Sequence, residues 1–137
     1  MDDFSKLYSP LVLNHAAKPR NMGKIKNPDG EAMVGNPVCG DIMKYYIRVN
    51  KIKDEPYIKD IKFQTLGCGA AIATSSILTT LVKGKTIKEA LKIDKNKIVE
   101  VLGGLPATKI HCSVLADECF RKAVKDYKKK SLILSEI

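Results

Sequence analysis

The chain has 137 residues, 45% of them apolar and 28% charged, a balance that supports a buried core without disulfide staples and excludes a disordered chain. Lys and Arg outnumber Asp and Glu by 24 to 15, for a formal charge of +9, but apart from the lysine run at 128–130 the basic residues are scattered and no block interleaves them with aromatics. A solvated lysine-rich surface that attracts acidic partners is therefore expected, and a nucleic-acid site is not. No apolar run nears the ~18 residues of a membrane span, and the acidic start MDDFSKLYSP lacks a basic-then-apolar signal, so the chain is expected to work in the cytoplasm, away from membranes.

In chain order, SKLYSPLVLNHAA reads as a short N-terminal helix with Ser5 as its cap and Pro19 as its stop. His15 on this helix is expected to pack or cap. The tetrapeptide NPDG at 27–30 is a turn signal. EAMVGNP reads as a strand that turns back at NPVCGD. IMKYYIRVN follows, with Met43, Tyr45, Ile47 and Val49 on one face. YIKDIKFQTLG then places Ile61, Phe63 and Thr65 opposite Asp60, Lys62 and Gln64. Short connections between three strands predict an antiparallel sheet with one face to cover.

The second half supplies the cover. GAAIATSSILTTLVKG after Cys68 reads as a buried helix ending near Gly84, and TIKEALKI and DKNKIVEVLGG as two short helices. Thr86 and Glu89 match a capping box, and Asp94 is a further cap candidate. The last helix begins near His111, with Cys112, Leu115, Ala116, Cys119, Phe120, Ala123, Val124 and Tyr127 along one face. Strands first and helices after predict a single α+β domain over residues 1–137, with a three-stranded antiparallel sheet covered by helices. A short N-terminal helix and a long C-terminal one complete it.

Three of the four cysteines sit where the backbone changes course. Cys39 lies at a strand-to-strand turn, Cys68 where a strand gives way to a helix, and Cys112 at the start of the last helix. A reducing compartment and wide spacing argue for metal or thiol chemistry over disulfides. Neither Cys-x-x-Cys nor His-Glu-x-x-His occurs, which removes zinc ribbons, thioredoxin-like motifs and zincin proteases. Glycines beside Cys39 and Cys68 let the backbone turn tightly and approach a ligand. Helix N-termini at Cys68 and Cys112 should favour the thiolate. The three thiols are thus expected to converge at one end of the molecule as a shared metal or thiolate site. Asp41 and His111 are the natural further ligands or supporting groups. Lys109 either stabilises a thiolate by charge or is solvated, and Cys119, mid-face on the last helix, is expected in the core.

The segments GNPVCGD, FQTLGCGAAIATSS and LPATKIHCS resemble the three cysteine segments of the U-type iron–sulfur cluster assembly scaffolds, the IscU type and the N-terminal NifU-like domain. YSPLVLNHAAKPRNMG resembles that family's N-terminal segment, so the likeness runs from about residue 8 to residue 127. The resemblance implies a non-enzymatic carrier on which iron and persulfide-derived sulfur are built into a transient [2Fe–2S] cluster and then passed to acceptor apoproteins. By matching positions it implies Cys39, Cys68 and Cys112 as ligands and Cys112 as the persulfide acceptor. Asp41 and His111 match additional metal-binding positions, with Asp41 associated with keeping the cluster labile. Lys109 matches the lysine beside the third cysteine, and Tyr8 a tyrosine linked to scaffold pairing as a homodimer. Implied partners are a cysteine desulfurase and donors of iron (Fe2+) and electrons. Zn2+ is an ion the isolated protein could hold.

Two departures stand out: Cys119 is an addition to the usual cysteine set, and LPATK at 105–109 replaces the bacterial Leu-Pro-Pro-Val-Lys. The latter makes recognition by a dedicated Hsp70-type chaperone doubtful. The alternative is a zinc-binding sulfur-acceptor partner of a desulfurase, but those relatives carry an insertion before the third cysteine and lack the adjacent histidine. Here Cys68 and Cys112 stand 44 positions apart and His111 is present. A Cys–His hydrolase would need a base other than His111, which as a helix neighbour of Cys112 is expected to point elsewhere.

Overall fold

The computed structural model describes residues 8–36 and 41–136. Helix α1 spans Pro10–Ala17. Its cap is Ser9, whose hydroxyl accepts from the Val12 N–H at 3.2 Å. The expected cap, Ser5, lies outside the described residues, and the helix starts later than the sequence pattern suggested. Pro10 explains the start, because its fixed φ and missing N–H suit the first helical position. The Ser9 hydroxyl also donates to the Leu102 carbonyl, tying this helix to the second half of the chain.

Strands β1 (Gly30–Asn36), β2 (Asp41–Ile52) and β3 (Glu55–Leu66) form one antiparallel sheet in the order β1-β2-β3. Its rows follow the period-two reading: Val34, Met43 and Thr65 align, as do Ala32, Tyr45 and Phe63, and Gly30, Ile47 and Ile61. Met43, Tyr45, Ile47, Ile61 and Phe63 are fully buried. The Tyr45 and Phe63 rings meet edge-on, with centroids 6.4 Å apart, a favoured aromatic geometry. A register shift between Arg48 and Val49 resets the alternation in β3, which is how Ile58 reaches the buried face although Asp60 and Lys62 do not. Lys53 and Asp54, with φ of 53° and 67°, close the β2–β3 hairpin as a two-residue left-handed turn.

Helix α2 (Gly69–Val82) runs through the centre of the molecule, buried along most of its length. Its small residues let α1 and the sheet approach, and its hydroxyls find partners. Tyr45 donates to Ser75 Oγ at 2.8 Å, and Ser76 Oγ lies 2.7 Å from His15 Nδ1. His15 is therefore a packing histidine, as expected. One-turn α3 (Ile87–Ala90) carries the Thr86–Glu89 capping box, and α4 (Lys95–Val101) is capped by Asp94, which accepts from the Lys97 N–H. The segment read as a helix over 86–93 shortens to that single turn.

A 3-10 turn at Ala107–Lys109 leads into α5 (Ile110–Glu136). Its predicted face is buried at Cys112, Leu115, Ala116, Cys119, Phe120, Ala123 and Val124. It lies on β1, where Gly30 allows the contact: a Cβ there would fall 2.9 Å from Tyr127 Cβ. Among the described residues no helix is long and apolar enough to cross a membrane.

Candidate metal and sulfur site

One end of the sheet–helix sandwich collects the chemistry. Asp41 opens β2, and its side chain is nearly buried. Cys68 occupies the N-cap position of α2 with extended backbone (φ −80°, ψ 174°), and its sulfur caps no backbone N–H, which leaves it available. His111 and Cys112 lie in the first turn of α5. Three different elements thus end at the same place.

The distances are short. Cys68 Sγ and Cys112 Sγ are 3.9 Å apart, far beyond the ~2.05 Å of a disulfide but close enough to share an ion or cluster. Cys112 Sγ lies 3.7 Å from His111 Nε2 and 3.9 Å from Asp41 Oδ2, and His111 Nε2 lies 3.4 Å from Asp41 Oδ2. The donor atoms of Asp41, His111 and Cys112 all fall within 4.8 Å of one another. Thiolate, imidazole and carboxylate together suit zinc and ferrous iron.

Two sequence expectations need correcting. His111 does not point away from Cys112: the imidazole reaches over the helix start so that Nε2 faces the sulfur. Neighbouring Cβ directions on a helix diverge, but the length of the imidazole closes the gap. The helix start also does not favour a Cys112 thiolate. Burial pushes its pKa up to about 12, with Cys68 and then Asp41 raising it further and Lys109 opposing them. Cys112 is fully buried, so loss of solvation and nearby negative groups outweigh the helix end. A bound cation would reverse this balance.

Lys109 ends the 3-10 turn, and its pKa is raised first by the charge of Cys68, with burial opposing and Tyr8 and a hydrogen bond to Cys68 adding. It therefore faces Cys68 more than Cys112. The Tyr8 pKa is raised by burial, with Lys109 lowering it and Cys68 and Cys112 raising it. Cys39 lies outside the described residues. The expected convergence is therefore seen for Cys68 and Cys112, joined by Asp41 and His111. Cys119 is buried in the core, its sulfur 3.5 Å from the Ala32 carbonyl oxygen and 3.6 Å from that of Met43.

Sequence reading missed the brace beneath the site. The Thr74 hydroxyl, buried in α2, reaches the Ala71 carbonyl at 3.1 Å and the Cys112 carbonyl at 3.4 Å. Thr74 is one of several hydroxyl residues on α2, so nothing in the sequence singled it out.

Comparison with known proteins places the chain in a family. The NifU-like N terminal domain family matches residues 7–133, and the chain belongs to that family. It is 56% identical over 125 residues to the iron-sulfur cluster assembly scaffold protein IscU 1 of Archaeoglobus fulgidus, covering 91% of this chain and 79% of that one. It is 49% identical over 126 residues to the iron-sulfur cluster assembly scaffold protein IscU of Escherichia coli K12, covering 90% and 95%. In fold it resembles the crystal structure of a NifU-like protein (N-terminal) from Brucella abortus, with a TM-score of 0.68 at 20% identity, covering 93% and 98% of the two chains.

Proposed function

We propose that this protein is an iron–sulfur cluster assembly scaffold, a carrier rather than an enzyme, whose cargo is built at the end of the molecule where β2, α2 and α5 meet. The observation that carries the reading is the gathering of the Asp41, His111 and Cys112 donor atoms at separations of 3.4–3.9 Å, with Cys68 Sγ 3.9 Å from Cys112 Sγ. The relatives named as scaffolds support it over the zinc-binding sulfur-acceptor alternative. Cys39, two residues before Asp41 in sequence, supplies a third thiol to the ligand set.

A stable cluster is usually caged by four cysteine thiolates. Here only three site cysteines are available, with a carboxylate and an imidazole beside them, and these harder donors hold a cluster less firmly. That suits a protein that must release what it assembles. The cargo is a [2Fe–2S] cluster.

Sulfur enters at Cys112. Once iron on the neighbouring donors favours its thiolate and desulfurase docking uncovers it, Cys112 attacks the terminal sulfur of the desulfurase persulfide, forming a new S–S bond on Cys112 while the desulfurase cysteine leaves as a thiolate. Two electrons from an external donor then cleave that bond, releasing sulfide and restoring the Cys112 thiolate. Iron held by the neighbouring donors captures the sulfide, and the finished cluster passes to acceptor apoproteins. Lys109, near Cys68, offsets negative charge that accumulates during assembly.

Anaerobic reconstitution with ferrous iron, cysteine and a desulfurase tests this. Charge-transfer absorption and acid-labile sulfide should appear with the native chain, and Cys112→Ser should carry no persulfide. A chain that takes up only zinc, or a Cys112→Ser variant that accepts sulfur undiminished, would refute the reading.

A further inference from the structure

We propose that Gly67 is a positioning residue for the metal site: its missing side chain leaves the space in which the Asp41 carboxylate is held against the β3–α2 turn and aimed at Cys112 and His111. The inference rests on the metal-site reading above and adds to it a residue that touches no ligand atom of the cargo.

Gly67 links Leu66, the last residue of β3, to Cys68, the cap of α2. A Cβ at this position would stand 2.7 Å from Asp41 Oδ1, 3.1 Å from Asp41 Cγ and 3.1 Å from Ala71 Cβ. The first of these is a separation that real Cβ atoms do not adopt. Backbone conformation is not the reason for glycine here. Gly23, Gly84, Gly103 and Gly104 have positive φ, and Gly67 is not among them. Space is what this position provides.

The two carboxylate oxygens of Asp41 divide the work. Oδ1 lies over Gly67, while Oδ2 lies 3.4 Å from His111 Nε2 and 3.9 Å from Cys112 Sγ. Asp41 has a short side chain and is 5% exposed, so it has little freedom to retreat and keep its aim. A methyl group under Oδ1 forces the carboxylate to rotate or lift, and Oδ2 leaves the donor cluster. Gly69, the other glycine flanking Cys68, differs: a Cβ there would meet only Ala16 Cβ at 3.6 Å, an ordinary contact. It serves as an internal control.

The test uses the full chain freed of metal. Zn2+ affinity is measured by competition with a chromophoric chelator, the donor set by the visible spectrum with Co2+, and folding by circular dichroism. Gly67→Ala and Asp41→Ala should each weaken Zn2+ binding by about 10–100-fold and share one Co2+ spectrum distinct from that of the native chain. Gly69→Ala should bind Zn2+ like the native chain. In the Asp41→Ala background Gly67→Ala should change affinity by less than about twofold, because the carboxylate it displaces is gone and only the Ala71 Cβ contact at 3.1 Å, away from the donor atoms, remains. Native affinity in Gly67→Ala would overturn the proposal. So would a double variant that fails to fold, or one that binds still more weakly than Asp41→Ala. If Asp41→Ala and Cys112→Ser both bind Zn2+ like the native chain, the metal-site reading fails as well, an outcome separate from failure at Gly67 alone.

Discussion

At the residue scale, the three described cysteines divide by surroundings rather than by chemistry. Cys68 and Cys112 face each other across 3.9 Å at the site, while Cys119 sits under the sheet against two backbone carbonyls. Burial pushes the Cys119 thiol up to about 12, and among the described residues it belongs to no metal-ligating group. Cys119→Ala should therefore leave Zn2+ stoichiometry unchanged and cost about 1 kcal/mol of stability, the scale of one buried group. Metal analysis alongside urea denaturation checks both halves, and a drop in stoichiometry would place Cys119 in the site. Within the site, Cys68 was legible because a strand-to-helix switch fixes where a cap residue must be. The aim of His111 was not, since it depends on how the 3-10 turn sets the first turn of α5. Nor was the thiol state of Cys112, because burial at a helix start depends on what packs over it, here Asp41 from β2 and Thr74 from α2.

At the element scale, period-two alternation identified the inner face of β2 and β3, because a sheet with one covered face must separate apolar from polar residues. It did not reveal the register shift at Arg48–Val49. A bulge leaves the composition unchanged and is seen only when the partner strand is placed. The capping box at Thr86 and Glu89 was legible from spacing alone, whereas the shortness of α3 was not: a good cap starts a helix but does not set its length. The seat of α5 on β1 was equally hidden, since it depends on Gly30. A Cβ at Gly30 would meet the Ala123 carbonyl oxygen and stand 2.9 Å from Tyr127 Cβ. Gly30→Ala is expected to lift α5 and cost about 1–3 kcal/mol, the scale of overpacking. The urea midpoint should fall accordingly while the sheet end carrying Asp41, eleven positions along the chain, still binds Zn2+. An unchanged midpoint would mean that α5 shifts without cost.

At the scale of the whole molecule, the site is assembled by joining halves that contribute nothing alone. β2 brings the carboxylate, α2 and α5 bring the sulfurs, and α1 closes over α2. That last contact carries a pH dependence. Ser76 Oγ accepts from the Arg20 N–H at 2.8 Å and lies within hydrogen-bond distance of His15 Nδ1, at 2.7 Å. Burial, followed by the nearby Arg20 charge, disfavours the charged imidazole and lowers the His15 pKa below the ordinary 6.5. The sign follows from linkage. Above 6.5 neither state binds the proton and the His15 contact is at full strength. As pH falls below 6.5 the unfolded chain takes up the proton first, so stability drops until the folded-state pKa is passed. Replacing His15 with glutamine keeps a group able to hydrogen-bond with Ser76 and removes the titration. The native chain should thus lose stability to urea between pH 7.5 and 5.5 more steeply than His15→Gln. Parallel pH profiles for the two would show that His15 does not link proton binding to the docking of α1.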